Sequence, residues 1–169
     1  MQLVWRAAAY AVYGGVGNRI ENSIAADVFT YPGLTVSSEF NPFPLESATV
    51  DGLTLVRSGG TYWGGQQFGS IWLRADQNPT NGITIRNVDI IDPTYQGISL
   101  QSNNGGVFTN TLFENITISN PTTYGVQVLS TAKGGATFTN VTVNNAPSGK
   151  VVNQSYGGFA ITNGGGNNW

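Results

Sequence analysis

The stretch from Ile83 to Leu100 reads ITIRNVDIIDPTYQGISL, and two later stretches repeat its pattern: TLFENITISNPTTYGVQV from Thr111 and ATFTNVTVNNAPSGKVVN from Ala136. Asn87, Asn115 and Asn140 fall in register. Behind each comes an alternating apolar strand: Val88 and Ile90, Ile116 and Ile118, Val141 and Val143. Eight residues further on a second strand begins, at Ile98, Val126 and Val151. Self-similarity at about 28 and then 25 residues implies stacked coils, each a unit that cannot bury its apolar face alone.

The second strand can be traced backwards. Its inward pairs are Tyr10 and Val12, Leu34 and Val36, Ile71 and Leu73, Ile98 and Leu100, and Val126 and Val128; the last coil has Val151 followed by polar Asn153. The first strand recurs at Val50, Leu53 and Leu55. The expectation is an all-β parallel β-helix of about six coils forming one segment over residues 1–169, with a Gly- and Asn-rich cap near 154–169. Asn87, Asn115 and Asn140 are expected to build a ladder of side-chain amides along one corner. The sequons beginning at Asn115, Asn140 and Asn153 then arise from the repeat. Asp27, Asp89 and Asp92 are expected as turn formers. No polar cap precedes the Tyr10/Val12 strand, so upstream coils of a longer chain, or a partner, are expected there.

Composition narrows the function. The 169 residues carry 9% charged side chains and a net charge of −2, with no Lys/Arg cluster, which argues against nucleic acid. No run reaches the ~20 apolar residues that span a bilayer. MQLVWRAAAYAVYGG has some signal-peptide character but no basic leading segment, and it fits the repeat better. There is no His and no Cys. An imidazole base, an ordinary zinc site and a disulfide framework are therefore excluded. No acidic ligand run supports Ca²⁺, and no cofactor or metal is expected. The low charge and Asn/Thr/Gly bias suit a secreted protein.

Function on such a rod lies on outward residues of successive coils. The outward positions of the second strand read Ala11 and Tyr13, Thr35 and Ser37, Trp72 and Arg74, Ser99 and Gln101, Gln127 and Leu129. Tyr13, Trp72, Arg74 and Gln101 thus share a face. Rings cover the C–H face of a pyranose while guanidinium and amide groups bond its hydroxyls. Two irregular loops flank this face: Ser37–Ser47, and Arg57–Gly69 with its Tyr62, Trp63 and Phe68. Leu55 to Ile71 is 16 residues where the later coils have 8. Trp63 is a further candidate for sugar binding. Glycoside hydrolysis needs two carboxylates. Glu39 and Asp76, each three residues past an inward strand residue, are the best pair available, as weak catalytic candidates.

The segment AVYGGVGNRIENSIAADVFTYPGLTVSSEF, Ala11 to Phe40, resembles the bacterial glycoside hydrolase family of endo-α-1,3-glucanases (mutanases) and mycodextranases. The YGG after an alternating strand, the N-R-I-E-N turn and the A-D…YPG corner carry the likeness. FAITNGGGNNW, Phe159 to Trp169, resembles the end of that family's catalytic β-helix. The resemblance implies a right-handed parallel β-helix, corresponding to the C-terminal half of the family's domain, and endo-hydrolysis of α-1,3-glucan with inversion. The family's catalytic aspartates include an adjacent Asp-Asp pair upstream of the YGG strand; this chain contains no Asp-Asp. The resemblance therefore implies the downstream wall of the cleft, with Tyr13, Tyr31, Glu39, Trp72, Arg74 and Asp76 along it and no catalytic residue carried over. The chain alone is then expected to be inactive. A non-catalytic carbohydrate-binding or adhesion module stays open as an alternative, and behind it a pectin-type hydrolase or lyase.

Overall fold

Alternating apolar residues make strands whose neighbours are the same positions of the next coil. The computed structural model describes residues 7–39, 43–61 and 65–169 and contains no helix among them. Tyr10–Tyr13, Leu34–Ser37, Ile71–Asp76, Ile98–Asn103, Tyr124–Val128 and Gly149–Asn153 form a six-stranded parallel sheet. Tyr10, Leu34, Ile71, Ile98, Val126 and Val151 stand in register across it, as the inward column requires. A second face stacks the long strands Arg19–Val28, Thr49–Ser58, Thr84–Ile91, Phe108–Ser119 and Gly134–Asn144, with Phe159–Gly165 at the end. The chain is a parallel β-helix of about five turns. The count is one below the six coils expected, because six rungs enclose five complete repeats.

A third, narrow face joins these two. Gly15–Val16, Leu45–Glu46, Thr80–Asn81 and the first residues of Phe108–Ser119 pair in parallel there. Buried Leu45, Thr80 and Phe108 point to its interior. The aliphatic spine between the faces is fully dry, with Leu34, Leu55, Leu73, Ile85, Ile98 and Ile118 all at 0% exposure. Each such side chain contributes about 1.5–3 kcal/mol by leaving water. Phe113 and Phe138 stack at 4.7 Å and 6° inside successive coils.

Polar corners line the outside. Asn87, Asn115 and Asn140 adopt positive φ (55°, 53° and 52°), which an Asn side chain tolerates. Asn140 Nδ2 donates to Asn115 Oδ1 (3.1 Å), Asn115 Nδ2 to Asn87 Oδ1 (3.2 Å), and Asn87 Nδ2 to Asp51 Oδ1 (2.7 Å). The expected amide ladder is present. A second ladder runs from Asn145 to Asn120 to Asp92, both steps 2.8 Å. Asp92 is thus a corner residue, as expected. Asp89 is not: it lies exposed within Thr84–Ile91, level with Thr54 and Thr117, because the corner falls after Ile91. Asn115→Ala is expected to cost about 2 kcal/mol, combining left-handed backbone strain with lost amide bonds. Asn115→Gly, which keeps the backbone relaxed, should cost less. Urea unfolding of the two variants measures the difference.

Asp27, also at positive φ (60°), accepts two bonds from Arg57, at 2.6 and 2.9 Å. Those bonds hold its carboxyl below the usual carboxylate range. Asp51, bonded by Asn87 and Arg86, is lowered likewise. A depressed folded pKa means the stabilisation is complete above the unfolded value, about 3.9, and is lost as pH falls through the folded value. The denaturation midpoint is therefore expected to fall below about pH 4, and the Asp27→Asn/Asp51→Asn double variant should flatten that fall.

At the far end, Asn167 and Asn168 stand in for a further strand. Asn167 Oδ1 accepts from Val141 N–H (2.8 Å) and Asn168 Oδ1 from Val143 N–H (3.0 Å), while Trp169 packs edge-on against Phe138.

Candidate functional site

The outer face of the six-stranded sheet carries two columns in register. One is Tyr13, Ser37, Arg74 and Gln101; the other is Ala11, Thr35, Trp72, Ser99 and Gln127. The strand Tyr124–Val128 stops before Leu129, so that residue has left the column.

The face is not bare. The loop after Ser58 folds back over it through a short antiparallel pair, Gly60–Thr61 with Gln67–Phe68. Gly60 lies so close to Thr30 that an added Cβ would sit 2.1 Å from its carbonyl carbon, which fixes the residue as glycine. Phe68, fully buried, packs against Trp72 with ring centres 4.4 Å apart and planes tilted by 34°. Gly69 N–H donates to Ser99 Oγ (3.1 Å), and Gln66 Nε2 to Gln101 Oε1 (2.8 Å). Trp72 therefore points away from the aliphatic spine, as alternation requires, yet it is only 7% exposed. It is a wall under a lid and offers little open platform. Trp63 lies outside the described residues.

Beside this covered ring a recess of about 310 Å³ opens, lined by Tyr13, Tyr31, Glu39, Trp72 and Arg74 over a floor of Ala7, Ala8 and Ala11. Arg74 is its centre. Its guanidinium bonds both Glu39 and Asp76, and its carbon lies 5.6 Å from the Trp72 ring centre. Asn103, with its amide oriented to satisfy both ends, accepts from Arg74 Nε (3.0 Å) and donates to the Ser102 carbonyl (2.9 Å). Asp76 is 2% exposed and also accepts from Asn104 Nδ2 (2.6 Å), while its N–H donates to Ser38 Oγ (3.0 Å). Tyr13 is half-open at 41% exposure. Burial and the Glu39 charge raise its phenol above the ordinary value. Gln101 stands one rung beyond Arg74 and is tied to the lid.

Glu39 and Asp76 are thus level on neighbouring coils and joined through one cation. Hydrolysis asks one carboxyl to give a proton and another to take one. Here both carboxylates accept charge-assisted bonds from the same guanidinium, an arrangement that holds Arg74 rigid as a donor. The strands alone did not reveal the parts played by Asn103, Asn104 and Phe68. The Asn103-Asn104-Gly105-Gly106 corner was the available signal, since consecutive Asn and Gly mark a turn just past the Arg74–Asp76 strand.

The alpha-1,3-glucanase catalytic domain D2 model matches residues 1–169. The chain belongs to this family. A GH87 alpha-1,3-glucanase catalytic domain solved with nigerose is 37% identical, with a TM-score of 0.91, over 96% of this chain and 34% of that one. An Asp→Ala variant of a GH87 alpha-1,3-glucanase catalytic domain, solved with tetrasaccharides, matches at 37% identity and TM-score 0.91, over 96% and 34%. The catalytic unit of the GH87 alpha-1,3-glucanase from Streptomyces thermodiastaticus strain HF3-3, at 24% identity and TM-score 0.81 over 94% of this chain and 32% of that one, shares the fold. No curated protein matches. The chain spans about a third of the length of the solved catalytic domains it matches.

Proposed function

We propose that this chain is one wall of the substrate cleft of an α-1,3-glucanase, and that the recess around Arg74 holds glucosyl units of α-1,3-glucan. The observation that carries the reading is the Arg74 knot. A guanidinium fixed by Glu39, Asp76 and Asn103 stands beside two tyrosines on the outer face of a family member whose solved relatives hold nigerose or tetrasaccharides. Tyr13 and Tyr31 supply ring faces, Trp72 an apolar wall, and Arg74 and Gln101 donors for hydroxyls. The parent protein, with further coils bearing the acid and base, hydrolyses the polymer, and it works outside the cell, where an insoluble polysaccharide is met.

By itself the chain binds without cutting. It has no Asp-Asp, and its site carboxylates are both bonded to Arg74. The sharing of one guanidinium by both carboxylates also favours the second reading, a binding module that never cuts. Calorimetry with nigero-oligosaccharides is expected to give saturable binding. A reducing-end assay on α-1,3-glucan should give no release above a blank. Clear turnover by the chain alone would place acid and base within it and return attention to Glu39 and Asp76.

A further inference from the structure

A second cavity, about 460 Å³, opens at the corner after the six-stranded sheet. It is lined from three successive coils, by Ser102 and Asn104 on one, Ser130, Thr131 and Lys133 on the next, and Ser155 on the last. Three coils at ~4.8 Å spacing make a trough about 10 Å long along the rod.

Its chemistry differs from that of the Arg74 recess. The lining has no aromatic ring and no carboxylate. The Ser130 and Thr131 hydroxyls and the Lys133 ammonium are exposed and make no hydrogen bond within the described residues. The backbone N–H of Lys133 donates to Oγ of the buried Ser102 (3.0 Å), which fixes the turn that carries Thr131 and Lys133. Asn104 uses Nδ2 on Asp76, which leaves its carbonyl oxygen. Hydroxyls and amides that both donate and accept match sugar hydroxyls, which do the same. The two linings are linked through one buried carboxylate: Asp76 bonds Arg74 of the recess and Asn104 of the trough.

We propose that this trough is a second subsite, for the hydroxyls of a neutral glucan chain that already occupies the Arg74 recess. The inference rests on the reading of the chain as a glucan-binding wall. It adds that recognition continues past the tyrosines by hydrogen bonding alone. A disaccharide fills the recess; a longer oligosaccharide extends past Asn104 and gains contacts with Thr131 and Lys133.

The test compares nigerose with a nigero-tetrasaccharide on the wild-type chain and on Thr131→Trp, whose indole fills the trough from an exposed turn. In wild type the tetrasaccharide should bind about tenfold or more tightly than the disaccharide, as one or two added hydrogen bonds allow. In Thr131→Trp that ratio should fall to about one. Because the readout is a ratio within each protein, a general loss of folded material does not imitate it. On the wild-type chain, amide NMR signals of Asn104, Thr131 and Lys133 should shift with the tetrasaccharide and stay still with nigerose. A tetrasaccharide that binds with the same ratio in both proteins and moves only recess signals overturns the second subsite and leaves the recess standing. Absence of binding by either sugar overturns the glucan reading itself, and the second subsite with it.

Discussion

Arg74→Ala is expected to destabilise the chain by about 3–5 kcal/mol and to remove glucan binding. The Asp76 side chain is 3% exposed and that of Glu39 19%, so deletion of the cation leaves two carboxylates facing each other with little water. A buried charge stripped of its partner costs far more than the pair contributes when intact. Arg74→Lys should recover only part of the loss, since a single ammonium cannot fork to Glu39, Asp76 and Asn103 together. The combined variant Arg74→Met/Glu39→Gln/Asp76→Asn removes every charge at once. It is expected to regain most of the stability, measured by urea unfolding, and none of the sugar affinity. Recovery of both would make the knot scaffolding alone; a loss under about 1 kcal/mol for Arg74→Ala would mean that the pairs behave as surface ion pairs.

Phe68→Ala is the second large effect. The ring is fully buried outside the aliphatic spine, packed against Trp72 and 6.3 Å from Tyr31. Its loss should cost about 3 kcal/mol and lift the lid. Trp72 would then meet water, so its emission, taken as the difference from a Trp72→Phe background, should shift to the red and become accessible to acrylamide. The guanidinium held against that ring would lose its backing, and affinity for nigero-oligosaccharides should fall with it. An unshifted emission would mean that other residues cover Trp72.

The contrast between these sites shows what a linear chain discloses. The strand register was readable because the interior takes apolar side chains, mostly Ile, Val and Leu, at alternate positions, and one slip would turn them to solvent. Equal offsets from Val36 and Leu73 put Glu39 and Asp76 level. Two features stayed hidden for physical reasons. The narrow third face uses strands as short as Leu45–Glu46 and Thr80–Asn81, too brief for any alternation. The cover over Trp72 comes from a Gly-rich loop, whose path depends on close approaches such as Gly60 against Thr30 that have no periodic signature. Alternation states which way Trp72 points and is silent about what lies over it.

The outward rings and polar tips around Arg74 are proposed to hold α-1,3-glucan, and a crystal of the chain soaked with nigero-tetrasaccharide decides the matter. A sugar ring is expected in the recess, in contact with Tyr13 or Tyr31 and with a hydroxyl bonded by Arg74. A recess left empty at saturating sugar, or a glucan seated on the opposite face along the Asn87–Asn115–Asn140 ladder, would overturn the proposal.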